Sequence, residues 1–199
     1  MDFGEILRSR RMVRHFTNDP LDDDLVERVI GAGLRAPSAG YSQGTSMLIL
    51  RSDESRQRLR ATHSGSERGW SLSVAEGVFA APLIIVVLTS KETYLGRYAE
   101  RDKGWTDHKE ARWAVPYWFV DAGCVAMLLL LAAIDEGLGA LLFGMRAEDV
   151  PTFRHVFRVP DTIDFVGCVA IGHPDPLAPR RDLRGRRRPV DELVHREKW

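Results

Sequence analysis

Tyr117-Trp118-Phe119-Val120-Asp121-Ala122-Gly123-Cys124-Val125-Ala126-Met127-Leu128-Leu129-Leu130-Leu131-Ala132-Ala133-Ile134-Asp135-Glu136 is the stretch on which the fold turns. At helical spacing its apolar residues go all the way round, with Val125, Met127, Leu128, Leu129, Leu130, Leu131 and Ile134 leaving no polar stripe. A helix apolar on every face must be buried on every face. One domain of 199 residues has little volume to surround such a helix. The stretch therefore implies a central helix that also packs against a second copy of the chain. Its uncharged part, Ala122 to Ile134, is 13 residues, short of the roughly 20 a membrane span needs. No membrane role is expected.

Downstream, Gly137 stands where a helix end accepts a left-handed residue. Gly139 to Gly144 reads as a short strand running into a loop, Glu148 to Phe157 as a helix with Pro151 in its first turn, and Phe165 to Ile171 as a core strand. From residue 174 to 199 proline and arginine dominate, and an extended tail is expected. Upstream, Pro82 to Leu88 is a β-branched run, the mark of a strand covered on both faces. Residues 91–116 break the pattern: they are polar and charged, yet hold Tyr94, Tyr98, Trp105 and Trp113. Loops this long in compact domains tend to be functional or disordered, and the aromatics favour a lid.

Thr45 to Leu50 reads as a strand, Asp53 to His63 as a surface helix and Trp70 to Phe79 as a weaker helix. Asp22, Asp23 and Asp24 crowd the start of an amphipathic helix, where the helix dipole favours negative charge. Asp2 is placed to cap a short helix carrying Phe3, Ile6 and Leu7. No repeat or linker divides the chain, so 1–199 is expected to be a single domain.

Formal net charge is zero, with 28 basic and 28 acidic side chains. That argues against bulk affinity for nucleic acid or a membrane surface. Cys124 and Cys168 sit among apolar residues, as small core residues of a reducing compartment do. The six histidines have no metal-ligand spacing, so no metal is expected. Charges within the first ten residues do not suit a signal peptide, and a cytoplasmic protein is expected.

One stretch carries chemistry on its face. Arg10-Arg11-Met12-Val13-Arg14-His15-Phe16 places three arginines at the end of a short helix. They are either a solvated basic end or a set of forked donors converging on one anion. Four further stretches bear on the choice: Ala36-Pro37-Ser38-Ala39-Gly40-Tyr41-Ser42-Gln43, Gly137-Leu138-Gly139, Gly172-His173-Pro174, and Arg184-Gly185-Arg186-Arg187-Arg188-Pro189. In order and spacing, the five together resemble the FMN-dependent nitroreductase family over nearly the whole chain.

The resemblance implies an α+β fold: a mainly antiparallel sheet of four or five strands flanked by helices, with the long helix central to a homodimer. It implies FMN as cofactor. Arg10, Arg11, Met12 and Arg14 would hold the phosphate and pyrimidine edge, joined by Arg187 from the tail. The family usually has serine where Met12 stands, and its companion lysine near Gly185 is absent, leaving Arg184 or Arg186 as substitutes. Pro37, Ser38, Ala39 and Gln43 would reach the flavin from the neighbouring subunit. Leu142, Phe143 and Gly144 would lie beneath it, where a backbone N–H approaches the reactive nitrogen. Tyr41, Trp113 and Trp118 would wall a pocket for a flat substrate, with core packing the competing account of the aromatics.

The implied activity is NAD(P)H-dependent reduction of a flat, electron-poor substrate such as a nitroaromatic or quinone, by a ping-pong mechanism. Tyr41, in place of a common asparagine, is closer to a flavin-fragmenting branch. The alternatives are therefore a flavin-consuming or dehalogenating enzyme, or a flavin-binding protein that turns nothing over.

Overall fold

The computed structural model describes residues 1–63, 70–179 and 184–199. Among them are seven helices and four strands. The helices are α1 (Phe3–Ser9), α2 (Asp23–Gly33), α3 (Asp53–Thr62), α4 (Leu72–Phe79), α5 (Lys91–Ala99), α6 (Tyr117–Asp135) and α7 (Val150–Phe157). The strands are β1 (Thr45–Leu50), β2 (Leu83–Thr89), β3 (Gly139–Phe143) and β4 (Asp164–Gly172).

Local chemistry sets the helix starts. Asp2 accepts the Glu5 N–H at 2.8 Å while Glu5 accepts the Asp2 N–H at 3.1 Å, a reciprocal capping box. Ser52, Ser71 and Ser90 cap α3, α4 and α5 through their side chains. Asp23 and Asp24 occupy the first turn of α2, and Pro151 that of α7. Gly137, at φ 76°, follows α6 in the left-handed conformation.

The strands form one antiparallel sheet in the order β1-β2-β4-β3. Alternation along β2 divides two cores. Leu83, Ile85 and Val87 face α2 and α6, together with Val169 and Ile171 of β4. Ile84, Val86 and Leu88 face the layer of α3, α4 and α7, with Cys168, Ala170 and Phe143. Because both faces are covered, every residue of β2 is buried, as its unbroken apolar sequence required.

One expectation needs correction. Residues 91–116 are not one irregular loop. The first nine form α5, started by Ser90 and seated by the fully buried Tyr94, with Tyr98 one turn on. The remainder is mostly exposed and is held by its aromatics, Trp105 and Trp113. Trp113 contacts Tyr98, Trp105, Tyr117 and Trp118 at centroid distances of 4.4–6.3 Å.

α6 was expected to be more than one chain can surround, and within one chain it is buried on one side only. Ala122, Val125, Ala126, Leu129, Leu130 and Ala133 enter the core against the sheet and α2. Phe119, Val120 and Met127 stay exposed, by 40–47%. By length and composition α6 would pass for a membrane span, but half of it is buried inside the protein.

Candidate functional site

The arginine stretch leaves α1 at Arg10, whose N–H closes the helix on Ile6 O. It then runs extended against three elements. Met12 bridges Ala140 of β3, and the Val13 N–H donates to Ala140 O at 3.0 Å. The Phe16 N–H donates to Gly77 O of α4 at 3.1 Å. Beyond β4, the Thr17 N–H donates to His173 O and the Asp175 N–H to His15 O, both at 3.0 Å. Backbone bonds from three directions thus fix where the arginines stand.

Their guanidinium groups are uncompensated. Arg10 and Arg14 are half-buried and Arg11 is exposed, and among the described residues none of the three has an ion pair. The contact seen is a long one, Arg14 Nη1 to Met12 O at 3.4 Å. Other arginines are matched, such as Arg28 with Glu136, Arg97 with Asp102 and Arg112 with Asp107, while Arg35, Arg60, Arg101 and Arg158 also have no ion pair among the described residues. Half-buried cations without carboxylates are a suitable donor set for an external anion.

Met12 bridges the strand that carries Leu142 and Phe143 and runs on to Gly144, so these two predicted groups lie along one strand. Leu142 points out of the sheet and is 40% exposed, while Phe143 is buried against Phe79 and Trp70. Nothing lies within 4 Å of a Cβ built on Gly144, so the backbone there is open to close approach.

The Pro37–Gln43 group sits elsewhere, on α5 and α6. The Ala39 N–H donates to Asp121 Oδ2 at 2.7 Å, and Arg97 Nε donates to Gly40 O at 2.9 Å. Ser38 Oγ accepts the Gln43 N–H at 3.0 Å. Tyr41 and Gln43 are exposed.

Sheet register measures how far apart the groups are. Ala140 lies level with Ile171 and Leu83, at one end of the sheet on the β3 edge. Thr45, which continues from the Gln43 loop, pairs Thr89 at the other end, on the β1 edge. Six residue rises along the strands and three strand spacings across separate them by about 25 Å.

The tail from residue 185 to 199 is exposed throughout, and Arg187 makes no hydrogen bond to either group. Arg188 donates to Glu192 at 2.9 Å. The side chain of Arg184 lies outside the described residues.

The aromatic expectations divide. Trp118 is 2% exposed, packs on Tyr94, and its carbonyl accepts from Thr89 Oγ1 at 3.0 Å. It is a core residue, which corrects its placement in a pocket wall. Trp113 is half-buried, and its buried Nε1 has no hydrogen-bond partner among the described residues. Open depressions of about 770 Å³ at Arg58, Arg154 and Pro160, and about 570 Å³ at Gln57, Trp70 and Leu72, include none of the expected flavin residues.

Sequence reasoning missed Asp121, Tyr94, Arg97 and Gly77. The one signal was Asp121 itself, the single acid in an otherwise apolar helix up to Ile134.

This chain has relatives among curated proteins, and its fold, a four-stranded antiparallel sheet between helical layers, recurs in solved structures. An NADPH-dependent oxidoreductase of Staphylococcus aureus is 25% identical over 197 residues, 98% of this chain and 72% of its own. An FMN-dependent nitroreductase from Clostridium difficile R20291 superposes with a TM-score of 0.71 at 20% identity, covering 98% of each chain. A Desulfovibrio desulfuricans structure in complex with FMN gives 0.71 at 24% identity, covering 100% of this chain and 98% of its own. The sequence model of the Nitroreductase family matches residues 7–173. The chain belongs to the nitroreductase family.

Proposed function

We propose that this protein is an FMN-dependent oxidoreductase that uses NAD(P)H to reduce flat, electron-poor acceptors such as nitroaromatics and quinones. The observation that carries the reading is the trio Arg10, Arg11 and Arg14. They are uncompensated among the described residues, pinned by backbone bonds, and tied to β3, which leads through exposed Leu142 to exposed Gly144. Family membership and the names of its relatives supply the rest.

The residues present fit FMN. Arg10 and Arg14 are placed to hold a phosphate of about −1.5 to −2 charge, with Arg187 as a third cation from the tail. Met12 offers backbone rather than a serine hydroxyl. Gly144 leaves room for a flat ring against the end of β3. When bound, FMN supplies hydride transfer from reduced nicotinamide to the acceptor, the two occupying one place in turn by a ping-pong scheme. The chain's own residues bind, orient and exclude.

The site is shared between two chains. Within one chain the arginine group and the Ser38–Gln43 loop stand about 25 Å apart, far more than the width of a flavin ring. The exposed apolar side of α6, with Phe119, Val120 and Met127, supports a homodimer that brings one chain's loop to the other's arginines. Exposed Tyr41 and half-buried Trp113 are then placed to meet the substrate. Two free thiols, Cys124 and Cys168, and the nicotinamide donor suit the cytoplasm.

The visible spectrum of the purified protein tests the cofactor, by flavin bands released on heating and identified as FMN. Steady-state oxidation of NADH or NADPH, with and without menadione, tests turnover. A protein with bound flavin that oxidises neither is a carrier, and the enzymatic reading fails.

A further inference from the structure

Between Gly40 and Gln43 the backbone enters the left-handed region three times, with φ 61° at Gly40, 58° at Tyr41 and 53° at Gln43. Glycine adopts this freely; tyrosine and glutamine do so only when the surroundings over-determine them. Here they do. The Ala39 N–H and the Tyr94 hydroxyl both donate to one oxygen, Asp121 Oδ2, each at 2.7 Å. Arg97, itself gripped by Asp102 at 2.7 and 2.8 Å, donates to Gly40 O. The Tyr98 ring closes the back: a Cβ on Gly40 would stand 2.6 Å from its Cε2.

Asp121 is 7% exposed and Tyr94 is fully buried. A carboxylate buried in an apolar helix is costly unless its lone pairs are used. Tying α5 to α6 would explain the bond to Tyr94. It does not explain the bond to Ala39, a backbone N–H in a loop that belongs to neither helix. Burial, and after it Asp121, pushes the Tyr94 hydroxyl above its ordinary range, so it stays protonated and remains a donor.

We propose that Asp121, with Tyr94 and Arg97, is a positioning device that locks the Ser38–Gln43 loop, so that α5 and the turn after it set substrate preference without touching substrate. The link to substrate rests on the reading of that loop as part of the flavin site. The lock itself rests on the contacts above. None of the three is a catalytic residue, because each acts through the loop backbone.

Hydrogen exchange on the purified protein tests the lock. In Asp121→Ala the Ala39 amide should exchange roughly tenfold faster or more, while the amides of β2 keep wild-type rates. Asp121→Asn retains an oxygen able to accept from Ala39 and should restore most of the protection. Tyr94→Phe, which keeps the ring, should loosen the same amide and serves if Asp121→Ala does not fold. In menadione reduction the loosened variants should raise KM roughly tenfold, with kcat within about twofold. Wild-type exchange at Ala39 in Tyr94→Phe, and in Asp121→Ala where that variant folds, overturns the lock. Loosened exchange with wild-type KM overturns the link to substrate preference. The two failures are separable, because a wild-type protein without flavin bands removes the flavin reading while the exchange rates still report on the lock.

Discussion

Gly77 lies so close to His15 that no side chain fits between them: a Cβ on Gly77 would overlap the imidazole Nδ1 and stand 2.6 Å from Arg14 O. This contact, with the Phe16 N–H on Gly77 O, seats the arginine stretch on α4. Gly77→Ala therefore sets two effects against each other. Alanine improves helix propensity by about 1 kcal/mol, while overpacking costs about 1–3 kcal/mol. Backbone is the obstacle on one side, so the steric cost should prevail. Denaturant unfolding should give a less stable protein, and titration a weaker hold on FMN. A variant as stable as wild type with unchanged affinity would mean that the stretch is not seated through Gly77.

Arg187 is expected to reach the phosphate although it has no hydrogen bond or ion pair among the described residues. A hydrogen bond to a charged group contributes about 1.5–3 kcal/mol, so Arg187→Ala should weaken FMN roughly tenfold to a hundredfold. Fluorescence titration measures this. Unchanged affinity would leave the phosphate to Arg10 and Arg14 and make the tail a bystander.

Trp118 and Trp113 should behave differently. Trp118→Ala removes a buried ring and should cost about 3–5 kcal/mol of stability. Trp113→Ala should keep the fold and FMN occupancy and change KM for aromatic acceptors. Thermal and denaturant melts beside steady-state kinetics separate the two. Loss of fold in both variants would place Trp113 in the core as well.

Mixed dimers test whether the site is shared. One chain is disabled at Arg10 and Arg14, the other by a bulky residue at Ser38. If the site is built from two chains, both defects fall in one site of the mixed dimer and the other site is intact. Activity per dimer should return to about half of wild type, where neither parent has any. No recovery, or a monomer that binds FMN and oxidises NAD(P)H, would end the idea.

The sheet was legible in the sequence because its two central strands are covered on both faces, which leaves runs such as Leu83–Leu88 without a polar residue. The helix starts were legible for a similar local reason: the Asp2 cap of α1 and the acids in the first turn of α2 act within one turn. α5 was not. Its seating residues, Tyr94 and Tyr98, are outnumbered by charges, and most of its partners lie far along the chain in Trp113 and Asp121. The exposed side of α6 could not be told from its buried side either, since both are apolar and only packing distinguishes them. In the candidate site, spacing picked out the arginines and the Ser38 loop. What holds each in place is long-range: Ala39 to Asp121 spans 82 positions, and Phe16 bonds to Gly77.

The pairing of Met12 and Val13 with Ala140 has a second consequence. β3 is the last strand of the sheet, and its outer rim would otherwise offer unsatisfied N–H and C=O groups beside apolar residues, a template for another chain's strand. The segment that presents the arginines lies along that rim and occupies it at Ala140. On the proposed reading of the arginines, ligand recognition and protection against aggregation are therefore vested in the same few residues. A substitution that frees the arginine stretch should reduce solubility as well as affinity, and a bound anion that steadies the stretch should guard the protein against sticking to itself.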